Sequence, residues 1–136
     1  MKFIGIDGKE RNLKKATNYL INWDKGSRSK FQASVKEFLR PYWESHVVFE
    51  EFRIVGTRLS LDFYNATRNI AVEVQGDQHA KYVKFFHGKN KMNYVDQLKR
   101  DANKFDFCEK NGIILVEIYS KDTIDRGLFL SFGVTL

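Results

Sequence analysis

The spacing of apolar residues changes several times along this chain, and each change predicts a new element. From Asn12 to Trp23, the residues Leu13, Ala16, Leu20 and Trp23 recur on one helical face, and Gly26 stands where a glycine stop belongs. Ser29 with Gln32 three residues on has the form of a capping box. It opens a second helix with the stripe Phe31, Val35, Phe38 and Leu39, closed by Pro41. Strand-like runs follow: Val47–Val55, a turn at Gly56-Thr57, Arg58–Tyr64, a turn over Asn65–Asn69, and Ile70–Gln75. Ala80–Asn93 keeps no period and reads as a loop. Helical spacing returns over Tyr94–Lys110 and stops at Gly112, and Ile113–Ile118 is a short apolar run suited to a buried strand reached by a parallel crossover. Asp122 is placed to cap a last helix through Leu130. The expected order is α-α-β-β-β-α-β-α, an α/β fold with a mixed central sheet flanked by helices. Residues 1–28 are expected to form a helical extension, 29–118 the core and 119–136 a C-terminal helix. No repeat or low-complexity tract is visible.

With 136 residues the chain is expected to fold as one domain. An apolar content of 43% excludes an intrinsically disordered chain. The formal net charge of +6 changes the picture more, because excess Lys and Arg favour a polyanionic partner through counterion release, with nucleic acid first. The single cysteine, Cys108, excludes an internal disulfide and a cysteine-rich zinc site. No window has the apolar length of a membrane span, and the segment from Met1 to Gly5 lacks a signal-peptide core, so a cytoplasmic protein without membrane contact is expected.

Against that basic background, two acids stand out. Asp62 and Glu73 sit on adjacent apolar strands, where a carboxylate is rare unless it is paired, solvated at an edge or bound to metal. The two-residue period puts Ala71, Glu73 and Gln75 on one face, and a hairpin sets Asp62 beside Glu73. Two carboxylates at that spacing suit Mg²⁺, with Mn²⁺ as a substitute, which keeps waters and substrate phosphate in its shell. Such an ion lowers the pKa of a bound water and offsets charge at phosphorus, the chemistry of phosphodiester hydrolysis.

The segment Leu61-Asp62-Phe63, then Glu73-Val74-Gln75-Gly76-Asp77-Gln78-His79, then Arg100-Asp101, resembles the PD-(D/E)XK nuclease superfamily. Within it, the pattern is similar to the very-short-patch-repair-like branch that includes phage EDxHD homing endonucleases. The resemblance spans roughly Ser29 to Ile118 and implies a restriction-endonuclease-like three-layer core. It also implies that Asp62 and Glu73 bind metal, that His79 moves a proton, and that Asp101, on the following helix, orients His79. Two departures bear on the chemistry. Gln75 stands where the family has lysine, and Gln32 stands where an acid belongs on the early helix, with Glu37 pointing away from the core stripe.

Around this set, helical projection groups Gln97, Arg100, Asp101 and Lys104 on one sector opposite Leu98, Ala102 and Phe105, which makes Arg100 and Lys104 candidate phosphate contacts. Lys81, Lys84, Lys89 and Lys91 are interleaved with Tyr82, Phe85 and Phe86 in the loop, a mixture that suits nucleic acid, although core packing explains the aromatic residues as well. Among the N-terminal basic residues, Arg11, Lys14, Lys15, Lys25, Arg28 and Lys30 extend that surface or simply solvate a helix. Asp77 suits a turn; one of Glu50 and Glu51 can face inward toward the metal, although edge solvation is the plainer reading, and Glu117 has the same two readings. The expected function is a Mg²⁺-dependent endonuclease acting on double-stranded DNA, of phage homing or repair type and working in the host cytoplasm. A homodimer would let one small site cut both strands. The alternatives are a nucleic-acid-binding module that kept the fold without hydrolysis, and an RNA nuclease.

Overall fold

The computed structural model of the protein describes residues 1–75 and 89–136. Its elements are β1 (Lys2–Ile4), β2 (Glu10–Asn12), a 3-10 turn (Ala16–Tyr19), α1 (Lys30–Trp43), β3 (Val48–Arg53), β4 (Ser60–Asn65), β5 (Ile70–Gln75), α2 (Lys89–Lys110), β6 (Ile114–Tyr119) and α3 (Arg126–Ser131). The central sheet has the order β3-β4-β5-β6: antiparallel from β3 to β5, and parallel between β5 and β6. This is the mixed α/β sheet expected from the pattern, including the parallel crossover, which α2 provides.

Alternation along the strands builds two apolar layers. Val35, Leu39 and Trp43 of α1 and Phe129 of α3 pack with Phe63, Val72 and Val116. In the other layer, Phe107 and Cys108 of α2 and Phe3 of the N-terminal hairpin pack with Phe52, Tyr64 and Ala71. Full burial of one such side chain contributes about 1.5–3 kcal/mol, so each helix is held chiefly by its apolar face.

Ser29 caps α1 as expected, its hydroxyl accepting from the Gln32 N–H at 3.1 Å. The helix runs past Pro41 to Trp43, because a proline near the C-terminal end removes one backbone bond while Trp43 anchors the last turn in the core. Gly112 ends α2 with φ +64°, and Gly56 makes the β3–β4 turn with φ +80°, both backbone shapes that favour glycine.

Several expectations are corrected. No helix spans Asn12–Trp23, and residues 1–28 are not a helical extension: β1 pairs antiparallel with β2, followed by the 3-10 turn and irregular chain. Leu13 reaches the core from irregular chain and Ala16 from the start of the 3-10 turn, so their helical spacing reflects contacts made one by one. Among the described residues the order is therefore β-β-α-β-β-β-α-β-α rather than one opening on two helices. The helix expected from Tyr94 begins at Lys89, so Lys89–Asn93, expected as the end of a loop, are helical, with Lys89 and Lys91 on the first turn of α2. At the C-terminus, Asp125 rather than Asp122 caps α3, accepting from the Leu128 N–H at 2.8 Å. Asp122 instead accepts from the Tyr119 N–H at 2.8 Å, and only Arg126–Ser131 of the expected C-terminal segment is helical.

One irregularity falls beside the two acids. Glu51 has a left-handed backbone, φ +52°, yet Glu50↔Phe63 and Phe52↔Leu61 on either side keep one register, so no residue is inserted. Glu50 and Glu51 both bond to Gln32 of α1, whereas Phe52 turns to the opposite core layer. Glu51 thus reverses the alternation of β3 at the position facing Asp62. Among the described residues, no helix is long and apolar enough to cross a membrane.

Candidate active site

The β4–β5 ladder ends at Phe63↔Val72, although both strands continue. Beyond that pair, the two carboxylates take the place of backbone acceptors. The Asp62 N–H donates to Glu73 Oε2 at 2.7 Å, and the Val74 N–H donates to Asp62 Oδ2 at 2.8 Å. Lys104 reaches down from α2 and donates to the other oxygen, Glu73 Oε1, at 2.5 Å. Glu73 is only 2% exposed, so it is a charge site removed from water with one cation against it.

Burial and the charge of Asp62 push the pKa of Glu73 up to about 8, and Lys104 opposes that rise. Burial also raises the pKa of Asp62, opposed by the Val74 N–H, by the Glu73 carboxyl and by Lys104. The pair lacks positive charge: one ammonium does not offset the desolvation of two neighbouring carboxylates.

These acids lie in a cleft of about 760 Å³ where β4 begins and β5 ends. Gln75, buried at the end of β5, lines it, as do Ser29, Phe31 and Gln32 from the start of α1 and Gln97, Arg100, Asp101 and Lys104 from α2. Arg28, Arg58 and Ser60 complete its rim together with Leu59 and Val74. Asp101 accepts from Gln97 Nε2 at 3.0 Å. Of the expected site, then, Asp62, Glu73, Gln75, Asp101, Arg100, Lys104, Gln32 and Gln97 share one cleft. His79, Lys81 and Lys84 lie outside the described residues, as do Asp77 and the aromatic residues Tyr82, Phe85 and Phe86.

The projection of α2 grouped its polar sector correctly but inverted its environment. Leu98 and Phe105 are 45% and 55% exposed and Ala102 is exposed, while Gln97, Asp101 and Lys104 face the cleft. The sheet beneath this part of α2 carries Glu73, and a lysine meets a buried carboxylate better than a leucine does.

Behind Gln32 lies a second polar cluster, where edge solvation was expected for Glu50 and Glu51. Lys36, 3% exposed, donates to Glu50 Oε1 at 2.8 Å and to the Lys25 carbonyl at 2.9 Å. Glu50 Oε2 accepts from Ser27 Oγ at 2.7 Å and Gln32 Nε2 at 2.9 Å, and Glu51 Oε1 accepts from Gln32 Nε2 at 3.0 Å. This cluster fixes the turn that carries Arg28 to the cleft. Glu117, opposite Glu73 on β6, accepts from Tyr119 Oη at 3.0 Å; burial, followed by that bond, pushes the Tyr119 phenol up to about 12.

Sequence reasoning missed the Lys104–Glu73 contact, the Lys36–Glu50 cluster and the place of Arg58 on the rim. The polar sector of α2 signalled the first; an alternating strand pattern gives no signal for the other two. Among the described residues, no group of three or more His, Cys, Asp or Glu side chains is arranged to hold a metal ion. The described part of the site is therefore a two-carboxylate arrangement with lysine and amide neighbours.

Known proteins similar to this chain are viral. It is 35% identical over 94 residues to uncharacterized protein 033L of Invertebrate iridescent virus 3, covering 68% of this chain and 48% of that protein. It is 40% identical over 63 residues to uncharacterized protein 094L of Frog virus 3, covering 46% of this chain and 41% of that one. With uncharacterized protein 307L of Invertebrate iridescent virus 6 it shares 37% identity over 60 residues, 44% of this chain and 30% of the other. The chain thus spans about half the length, or less, of these relatives. No protein-family model matches it, and no solved structure matches it.

Proposed function

We propose that this chain is a metal-dependent endonuclease that hydrolyses phosphodiester bonds of double-stranded DNA, built on a restriction-endonuclease-like core of the PD-(D/E)XK type. The observation that carries this reading is the meeting of Asp62, Glu73 and Lys104 in a cleft rimmed by arginine. Two carboxylates short of positive charge, Glu73 buried and Asp62 half-buried, fit a hard divalent cation, which takes one or two protein carboxylates. Mg²⁺, or Mn²⁺ in its place, would be held by Asp62 and Glu73 and would supply an activated water and charge neutralisation at phosphorus.

The chain's own residues supply the rest. Lys104 brings to Glu73 the ammonium that Gln75 does not provide, and from there it is placed to hold a water or a non-bridging phosphate oxygen. Gln75 and Gln97 add amide donors and acceptors at the cleft wall. His79, by its resemblance to the homing-endonuclease pattern, moves a proton, and Asp101 orients it. A phage-type homing or repair role in the host cytoplasm belongs to the same reading.

A binding module without hydrolysis is the second reading, favoured by the two-carboxylate count among the described residues and by the amides at Gln32 and Gln75. Supercoiled plasmid incubated at low salt with wild type, Asp62→Ala, His79→Ala and Lys104→Met, in Mg²⁺ and separately in Mn²⁺, decides between them. The nuclease reading expects wild-type nicking or linearisation that Asp62→Ala abolishes. DNA binding without cutting in either metal would establish the module, and cutting confined to RNA substrates would replace DNA with RNA.

A further inference from the structure

Two of the described arginines, Arg58 and Arg100, stand apart from the rest. Away from the cleft, each described arginine has a partner. Arg11 pairs with Asp7, Arg40 with Asp24 and Glu44, Arg68 donates to the Thr135 carbonyl, Arg126 to the Leu136 carbonyl, and Arg53 to the Thr57 carbonyl. Arg58 and Arg100 form no hydrogen bond or ion pair with any described residue, and both line the cleft that holds Asp62 and Glu73. Arg28, the third arginine of that cleft, pairs with Glu51 at 3.4 Å through a side chain 74% exposed, a weak contact of the same kind as those of Arg53 and Arg126.

These guanidiniums come from three separate elements: the turn before α1, the β3–β4 turn and α2. Two carboxylates on the floor of a cleft repel a phosphodiester backbone, so a polyanion is held there only by cations around them. Guanidinium suits that task, since its planar fork meets two phosphate oxygens at once and keeps its charge at every working pH. We propose that Arg28 and Arg58, together with Arg100, clamp the sugar-phosphate backbone of a DNA strand laid through the cleft, contacting phosphates on either side of the one above Asp62 and Glu73. The clamp reads backbone rather than bases and binds without regard to sequence. It rests on the nuclease reading and adds the N-terminal turn and the β3–β4 turn to the surface that grips DNA.

The test is fluorescence anisotropy of a labelled duplex, with Ca²⁺ replacing Mg²⁺, across a potassium chloride series. Wild type, Arg58→Ala, Arg58→Lys, Arg28→Ala and Arg126→Ala are compared, after circular dichroism has shown that each is folded. Each phosphate contact removed lowers the slope of log affinity against log salt by about one. Arg58→Ala and Arg28→Ala are expected to show that loss, with Arg58→Lys near the wild-type slope and Arg126→Ala unchanged. Wild-type slopes in both alanine variants would overturn the clamp and leave the nuclease reading standing. A wild-type protein that neither binds nor cuts DNA would overturn both.

Discussion

Asp62 and Glu73 each complete the hydrogen bonding of the strand opposite: Glu73 accepts from the Asp62 N–H and Asp62 from the Val74 N–H, at 2.7 and 2.8 Å. The two carboxylates are therefore fixed by backbone just past the point where the β4–β5 ladder ends. Shortening either side chain removes both a charge and a strand contact. Asp62→Asn and Glu73→Gln keep the shape and isolate the charge, and both are expected to abolish cutting while remaining folded, as seen by plasmid assay and circular dichroism.

Lys104 occupies the Glu73 oxygen that a cation would also seek. Lys104→Met should therefore increase the rise in Tm produced by Mn²⁺ relative to wild type, while cutting falls by at least about tenfold, the scale of one lost electrostatic contact to a transition state. Thermal scans with and without Mn²⁺ measure the first effect. An unchanged Mn²⁺ response would show that Lys104 and the ion do not compete.

The pKa of Glu73 gives stability a direction in pH. Its carboxyl titrates near 8 in the fold against 4.5 ordinarily, so the folded state holds a proton that the unfolded chain has already lost. That contribution to stability is fully present below about pH 4.5 and fades as pH rises to about 8, and Asp62 shifts in the same direction. Denaturation of metal-free protein across that window should show stability falling with pH, and Glu73→Gln should flatten the fall.

In the Lys36–Glu50 pair the ammonium is buried, with Lys36 only 3% exposed, and the Glu50 side chain is mostly covered at 14%. Lys36→Met takes from Glu50 its cation beneath α1 and frees the Lys25 carbonyl. The expected loss is about 3–5 kcal/mol by urea denaturation at neutral pH, the usual cost of removing one partner from a buried pair.

At Glu51 the left-handed backbone separates conformation from side chain. Glu51→Gly and Glu51→Ala both lose the bond from Gln32, but only alanine keeps the steric penalty of φ +52°. The glycine variant should be more stable than the alanine variant by about 1–2 kcal/mol.

The amino-acid sequence by itself determined the parts that depend on neighbouring residues. Ser29 supplies a cap to the turn that follows it, Gly112 ends α2, Gly56 turns β3 into β4, and the alternation of Ile70–Gln75 puts Glu73 and Gln75 on one face. The proximity of Asp62 to Glu73 follows from a short hairpin, and so it too was legible. Tertiary structure decided what depends on residues distant in the chain. The N-terminal hairpin has three-residue strands, the second wholly polar, and it exists because Phe3 and Leu13 join a core made by β3, β4 and α2. Lys104 meets Glu73, and Leu98 and Phe105 face outward, because the sheet under α2 presents a carboxylate that no periodicity on the helix records. Local pattern specifies an element and its faces. Which face is buried depends on the chemistry of the surface it meets, and that surface is assembled only when the strands pair.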